Sequence, residues 1–315
     1  MGERSDAPLS VPEWADCFDV AHYMVFLSVI DDEMTRRGWR YHLDGAAVVV
    51  EANGEQGARF GLVDLARKCH HADPTQWPVV VTEHFDSLAR SNAEMDSLDQ
   101  MDLDRVRQLL KVRLYPPGFV ENVGRDNLVR RPVAPCLDEV LVADLPSVVA
   151  TVKPERVQRW GCTWEELLEA GRDNVRGEKV HRQTVELEGG VVIQIYEGES
   201  HFVASRVLVL DLGETAPLGA LVALPTRHLL SVHVIADLST QAEATRIMFA
   251  WAEQAFREGP GALSPHLFWL APSGDLLQFE LEVSDDGTNL TVTPPERFVN
   301  EVLLPLAQHG GEPSN

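Results

Sequence analysis

Cysteine is scarce in this chain. Its 315 residues contain four, Cys17, Cys69, Cys136 and Cys162, widely separated and with no C-x-x-C pair. That spacing offers neither a zinc ribbon nor a dithiol redox motif, and four thiols make a poor disulfide framework for a chain this long. Long apolar runs are missing too: nothing approaches the roughly 18 residues that a membrane span needs. The N-terminal stretch MGERSDAPLSVPEW has no apolar segment behind its charges, so no secretory signal is expected. Positive charge is also short. Lys and Arg number 27 against 49 Asp and Glu, a formal net charge of −22. A field of that sign repels phosphate backbones and anionic leaflets, which argues against nucleic-acid and membrane partners. These absences point to a reducing cytoplasm and buried thiols.

Assembled catalytic and metal motifs are absent as well. There is no G-x-S-x-G, Walker A, G-x-G-x-x-G or H-E-x-x-H. Gly198–Phe202, GESHF, lacks the closing glycine. Adjacent Ser200 and His201 make no relay, because a base must reach the hydroxyl while a third group orients it. The polar run SNAEMDSLDQMDLD, residues 91–104, has the acids of a calcium loop without its spacing or its glycine. Cys69, His70 and His71, with Asp73 close by, form the densest soft-ligand cluster. Adjacent histidines rarely point at one ion, and zinc wants three or four convergent ligands. No metal and no cofactor are expected.

What is present is an ordinary globular composition. Hydrophobic residues make up 44% and charged residues 24%, which excludes wholesale disorder. Residues 12–37 carry Trp14, Cys17, Phe18, Ala21, Val25 and Val29 near helical spacing, and Gly38 follows Arg36 and Arg37 as a stop. Period-two patterns with turns at Asp44-Gly45 and Asn53-Gly54 then predict a three-strand meander. Two helices follow, the second with Trp77, Val80, Val81, His84, Phe85 and Leu88 on one stripe. We read residues 1–92 as an N-terminal domain, 93–104 as an acidic linker and 105–315 as a C-terminal domain.

The second region opens with a strand at Leu110–Tyr115. Residues 116–135, PPGFVENVGRDNLVRRPVAP, hold four prolines outside any period and read as a long irregular loop. Beyond it, capping boxes at Thr163-x-x-Glu166 and Thr240-x-x-Glu243 start helices, and Phe202–Leu210 reads as another. A hairpin joins Ala220–Leu224 to Leu229–Ile235, and a further turn is expected at Asp286-Gly287. Hairpins outnumber crossovers. The fold class is therefore α+β, with largely antiparallel sheets of hairpins, helices packed on one face, and two subdomains.

From Leu110 to about Trp251 the chain resembles the YtpQ-like family of uncharacterised bacterial proteins. The carrying stretches are LKVRLYPP, LDEVLVADLPS, VQRWGCTWEELLEAGRDNVR, ASRVLVLDL and LVALPTRHLLSV. The resemblance implies an intracellular α+β protein and brings no reaction with it.

The charge pattern supplies the candidate sites. Lys111, Arg113, Arg125, Arg130 and Arg131 gather in and around the expected loop, and Arg206 follows on a later helix. Such a cluster on an acidic body suits a small anionic ligand or an acidic segment of a partner protein. The leading expectation is a non-enzymatic binding protein. On it, reversing the charges of Arg130 and Arg131 abolishes partner capture and leaves the melting temperature nearly unchanged. The alternative is an enzyme on a small anionic substrate, with Arg206 and Arg227 as clamps and His228 as general acid or base at the hairpin tip. His233 lies an odd number of residues from His228, so a regular strand sends the two rings to opposite faces.

Overall fold

The computed structural model describes residues 10–52, 55–98, 100–283 and 290–309. The turns expected at Asn53-Gly54 and Asp286-Gly287 lie outside the described residues. Contacts divide the chain into two units, Met1–Ser97 and Leu98–Asn315.

In the first unit, helix α1 (Val20–Arg37) leads into strands β1 (Tyr41–Asp44), β2 (Ala47–Ala52) and β3 (Glu55–Gly61), then helices α2 (Val63–His71) and α3 (Trp77–Leu98). The sequence dictates both ends of α1. Asp19 accepts a hydrogen bond from the His22 amide, and Gly38 closes the helix at φ 68°, a left-handed conformation that glycine adopts without strain. The three strands pair antiparallel in the order β1-β2-β3. Phe26, Ile30 and Met34 of α1 share a core with Trp77, Val81 and Phe85 of α3. Inside it sits Glu33, whose side chain is only 5% exposed. Arg36, Arg37 and Thr82 all donate to its carboxylate. The expected linker is in part helical: α3 continues through it to Leu98, and the boundary between units falls at Ser97.

The second unit begins with α4 (Leu103–Leu109), β4 (Leu110–Tyr115), α5 (Pro117–Val123), β5 (Arg130–Ala134), β6 (Leu137–Asp144) and β7 (Val149–Thr151). Helices α6 (Pro154–Trp160) and α7 (Trp164–Arg176) follow. Strands β8 (His181–Glu186) and β9 (Val192–Glu197) precede a 3-10 turn at Ala204–Val209, then β10 (Ala220–Thr226) and β11 (Leu229–Val234). The chain ends with α8 (Leu238–Glu258), β12 (Leu267–Leu270), β13 (Leu276–Gln278), the pair β14 (Glu280–Val283) and β15 (Leu290–Thr293), and helical turns over Glu296–His309.

All of the sheet pairing is antiparallel. A six-stranded sheet runs β13-β12-β10-β11-β9-β8, and β6 pairs with β4, β5 and β7 in a second sheet. One face of the large sheet packs on Ala244, Met248 and Ala252 of α8. Its other face buries Val222, Leu224, Leu230 and Val232 with Leu114, Leu137, Val203 and Val207. Helix α7 lies against β4, where Gly171 permits the approach: a Cβ there would stand 3.0 Å from the Lys111 carbonyl carbon.

The expected irregular loop at 116–135 is a correction. Pro116 and Pro117 start a helix instead of breaking one, since proline's missing N–H has no intrahelical partner at the first turn anyway. Pro132 is tolerated in β5, which carries a register shift between Pro132 and Ala134. The helix expected over Phe202–Leu210 is only a 3-10 turn.

Candidate functional site

The sequence-predicted cations divide sharply once their partners are known. Arg130 Nη1 donates to Asp138 at 2.6 Å. Arg131 lies directly opposite Glu139 in the sheet and donates to its Oε2 through Nε at 3.0 Å and Nη2 at 2.9 Å. Arg172 of α7 reaches the same carboxylate at 2.6 and 2.9 Å, and Glu139 itself is fully buried. Lys111 joins Asp144 at 2.6 Å and also Glu178. The expected basic loop is therefore largely neutralised from within. Arg125 is exposed and makes no ion pair among the described residues; it lines one surface pocket with Arg130, whose charge Asp138 already meets.

Arg113 and Arg227 are different. Neither meets a carboxylate among the described residues. Arg113 is half-buried on β4, and its Nε is buried with no hydrogen-bond partner. Its guanidinium lies 4.6 Å from the Tyr115 ring centre, and that ring stacks on Phe119 at 3.9 Å. Strand alternation explains the grouping: Lys111, Arg113 and Tyr115, two apart, share one face of β4, while Leu110, Val112 and Leu114 occupy the other. Burial comes first among the causes that lower the pKa of Arg113; the positive charge of Arg227 adds to it.

Arg227 and His228 form the two-residue turn between β10 and β11, with Thr226 paired to Leu229. Pro225 sits inside a central strand because the register shifts there, between Ala223 and Thr226. The strand edge so released is taken up by residues 261–263. The Arg227 amide donates to the Gly261 carbonyl at 2.9 Å, and the Leu263 amide to the Pro225 carbonyl at 2.9 Å. The Arg227 side chain then crosses Gly261 itself. A Cβ at that glycine would lie 2.6 Å from Arg227 Nε, and its φ of +71° disfavours any other residue.

Two further contacts fix the tip. Arg227 Nε donates to His228 Nε2 at 2.8 Å. Because Nε2 accepts, Nδ1 carries the ring proton and donates to the carbonyls of Gly198 (3.2 Å) and Ser200 (3.1 Å). Both nitrogens of His228 are thus committed. The ring orients Arg227 and ties the segment 198–201 to the hairpin.

That segment brings in His201, which the sequence reading set aside. Its ring meets His228 edge-on at 5.3 Å, and its Nδ1 is buried without a partner. Burial holds His201 below the ordinary histidine range, and the charges of Arg227 and Arg113 push the same way. The 3-10 turn that follows is sewn to both neighbours: the Leu114 amide donates to buried Ser205 Oγ at 3.1 Å, and the Ala204 amide to the Arg227 carbonyl at 3.2 Å. Arg206 points elsewhere, donating to the carbonyls of Arg176 and Glu178. Among the described residues no contact joins it to Arg227 or His228, so the expected pair of clamps is not assembled. The cation whose charge acts on Arg113 is Arg227.

The other sequence candidates are plain. Cys69 is buried, and burial pushes its thiol up to about 11, while His70 and His71 are exposed. Among the described residues no group of three or more His, Cys, Asp or Glu could hold a metal ion, and no helix is long and apolar enough to cross a membrane. His233 is buried in β11 and bonds the Val192 carbonyl at 2.9 Å.

Comparison with known proteins returned no matching family model, no matching curated protein and no matching solved structure.

Proposed function

We propose that this protein binds a small anionic ligand at Arg113 and Arg227, with His201 beside them, and that it does so without catalysing a reaction. One observation carries the reading: among the described residues the half-buried guanidinium groups of Arg113 and Arg227 meet no carboxylate, and, unlike Arg206, which donates to two backbone carbonyls, they lie close enough for the charge of one to act on the other. Burying a cation is costly unless a counter-charge or full hydrogen bonding compensates it, and a bound oxyanion supplies both. Binding is favoured over turnover because His228, the sequence candidate for acid–base work, is held on both nitrogens.

Kinship with the YtpQ-like family belongs to the same proposal. The stretches that suggest it are those that build the site: LKVRLYPP holds Arg113 and Tyr115, and LVALPTRHLLSV holds Arg227 and His228.

Calorimetric titration with acetate, inorganic phosphate and sulfate tests the reading. The wild type is expected to bind at least one of them. Arg113→Gln and Arg227→Gln each remove a charge-assisted contact worth about 1.5–3 kcal/mol, a weakening of about ten- to a hundredfold. Variants that bind as the wild type does, or a wild type that binds none of the three, would overturn it.

A further inference from the structure

The chemistry around Arg113 and Arg227 narrows the ligand class, on the reading that the site binds an anion at all. Its two arginines can only donate. Arg113 offers a buried Nε, and Arg227 has only Nε engaged with another side chain, leaving its terminal nitrogens for a ligand. His201 contributes a buried Nδ1 with no partner. Asp144 and Glu178 both bond Lys111, and Glu178 also accepts from Ser200 Oγ at 2.7 Å. Two guanidinium groups without a carboxylate of their own, each able to donate in more than one direction, exceed what a monocarboxylate satisfies. That anion has one charge and two oxygens in a plane. A tetrahedral oxyanion with two charges presents acceptors in several directions and balances both guanidinium groups.

We propose that the site takes a doubly charged tetrahedral oxyanion, a phosphate-type group, and that His201 gains a proton as the anion binds and becomes its third donor. The groups around His201 set the sign of this coupling. Arg113 comes from β4, Arg227 and His228 from the hairpin, and Asp144 from β6, with Lys111 and Glu178 beside neighbouring Ser200. Of these, the two arginines and His228 oppose protonation of the ring and Asp144 favours it. An anion seated on the arginines cancels their opposition, so its arrival favours imidazolium, and lower pH favours the anion.

Sulfate separates protein from ligand in the test, because it keeps both charges throughout the range in which histidine titrates, about pH 5 to 8. Titrations with sulfate and acetate are run at both ends of that range, in two buffers of different ionisation enthalpy to count protons taken up. The expected result is sulfate binding at least about tenfold tighter than acetate, tightening severalfold toward the acid end with proton uptake. His201→Asn is expected to keep measurable sulfate binding and to lose both the pH dependence and the proton uptake. Equal affinity for acetate and sulfate, or a pH dependence that survives in His201→Asn, would overturn this inference and leave anion binding standing. Failure of the wild type to bind acetate, sulfate or inorganic phosphate overturns both. A source in free phosphate is distinguished from one in a phosphorylated metabolite by comparing inorganic phosphate with glycerol 3-phosphate.

Discussion

Replacing Arg113 by methionine should make the unliganded protein more stable. The Arg113 Nε is buried with no hydrogen-bond partner. A desolvated, unsatisfied donor costs about 1–3 kcal/mol. The repulsion from Arg227 acts in the same direction. Against this stands the contact between the guanidinium and the Tyr115 ring at 4.6 Å, worth about 0.5–1 kcal/mol at an exposed site and more when desolvated. Methionine retains an apolar stem to cover the ring. The balance favours Arg113→Met by about 1 kcal/mol, a rise of about 2–4 °C for a unit of this size. Differential scanning calorimetry in buffer free of phosphate and sulfate measures it. Saturating sulfate should then reverse the order: at about a hundred times the dissociation constant the wild type gains about 2.7 kcal/mol, and the variant far less. If Arg113→Met melts lower than wild type without sulfate, and the order never crosses, the idea of a guanidinium left unpaired for a ligand is refuted.

Two other perturbations probe the paired carboxylates. Glu139→Gln strands Arg131 and Arg172 against a buried neutral amide; breaking a buried pair costs about 3–5 kcal/mol, and the lower end applies because glutamine keeps an acceptor and Arg131 is 37% exposed. Urea denaturation with an unchanged midpoint would contradict this, and Arg131→Glu should lower the melting temperature as well, against the expectation from sequence. In the first unit, the side-chain bond from Arg36, with Arg37 adding to it, holds Glu33 down at about 2. A depressed folded-state value stabilises above the unfolded value near 4.5, and that stability is lost as pH falls through about 2, up to about 3 kcal/mol in all. Protection factors of α1 amides in the intact chain, corrected for the intrinsic exchange rate at each pH, should therefore fall from about pH 4.5 downward, and Glu33→Gln should flatten that limb.

The α+β class and the antiparallel hairpins were legible because local signals agree with the whole. Gly38 ends α1, Thr163 and Glu166 cap α7 reciprocally, and alternation marks β4. The stretch 116–135 misled because proline is ambiguous in a linear reading. It breaks a helix interior yet starts α5, and it is tolerated at the register shift of β5. The site was half legible. Arg113, Arg227 and His228 stood out as cations and a turn, whereas their partners depend on pairing across the fold. Nothing local tells Arg131 from Arg113. One sits opposite Glu139 and the other opposite Val140. His201 was missed for the same reason, since its neighbours come from β4 and a hairpin tip distant in sequence. The alternation of Lys111, Arg113 and Tyr115 on one strand face was the available signal, because it puts charge and an aromatic ring together on a half-buried surface.

An unpaired arginine in an acidic chain still needs a physical reason, because pairing is the easy outcome here. Glu33 takes two arginines, Glu139 takes two, Asp138 takes Arg130, and Asp275 takes Arg297. Carboxylates are not in short supply, so Arg113 and Arg227 are unpaired through placement. Lys111 explains how. It shares the β4 face with Arg113 and engages Asp144 and Glu178 together, with its ammonium 4.6 Å from the Phe202 ring centre. Both acids bond the same ammonium, which offsets one of their two charges and holds them on Lys111 instead of Arg113. Gly261 acts in a complementary way, by leaving room for the Arg227 stem to lie flat with its charged end carried past the strand edge. A chain selected for stability alone would have paired these arginines or replaced them with apolar residues, since residual strain of this kind is retained where function uses it. The same placement that destabilises these two arginines leaves their positive charge free for the proposed anion.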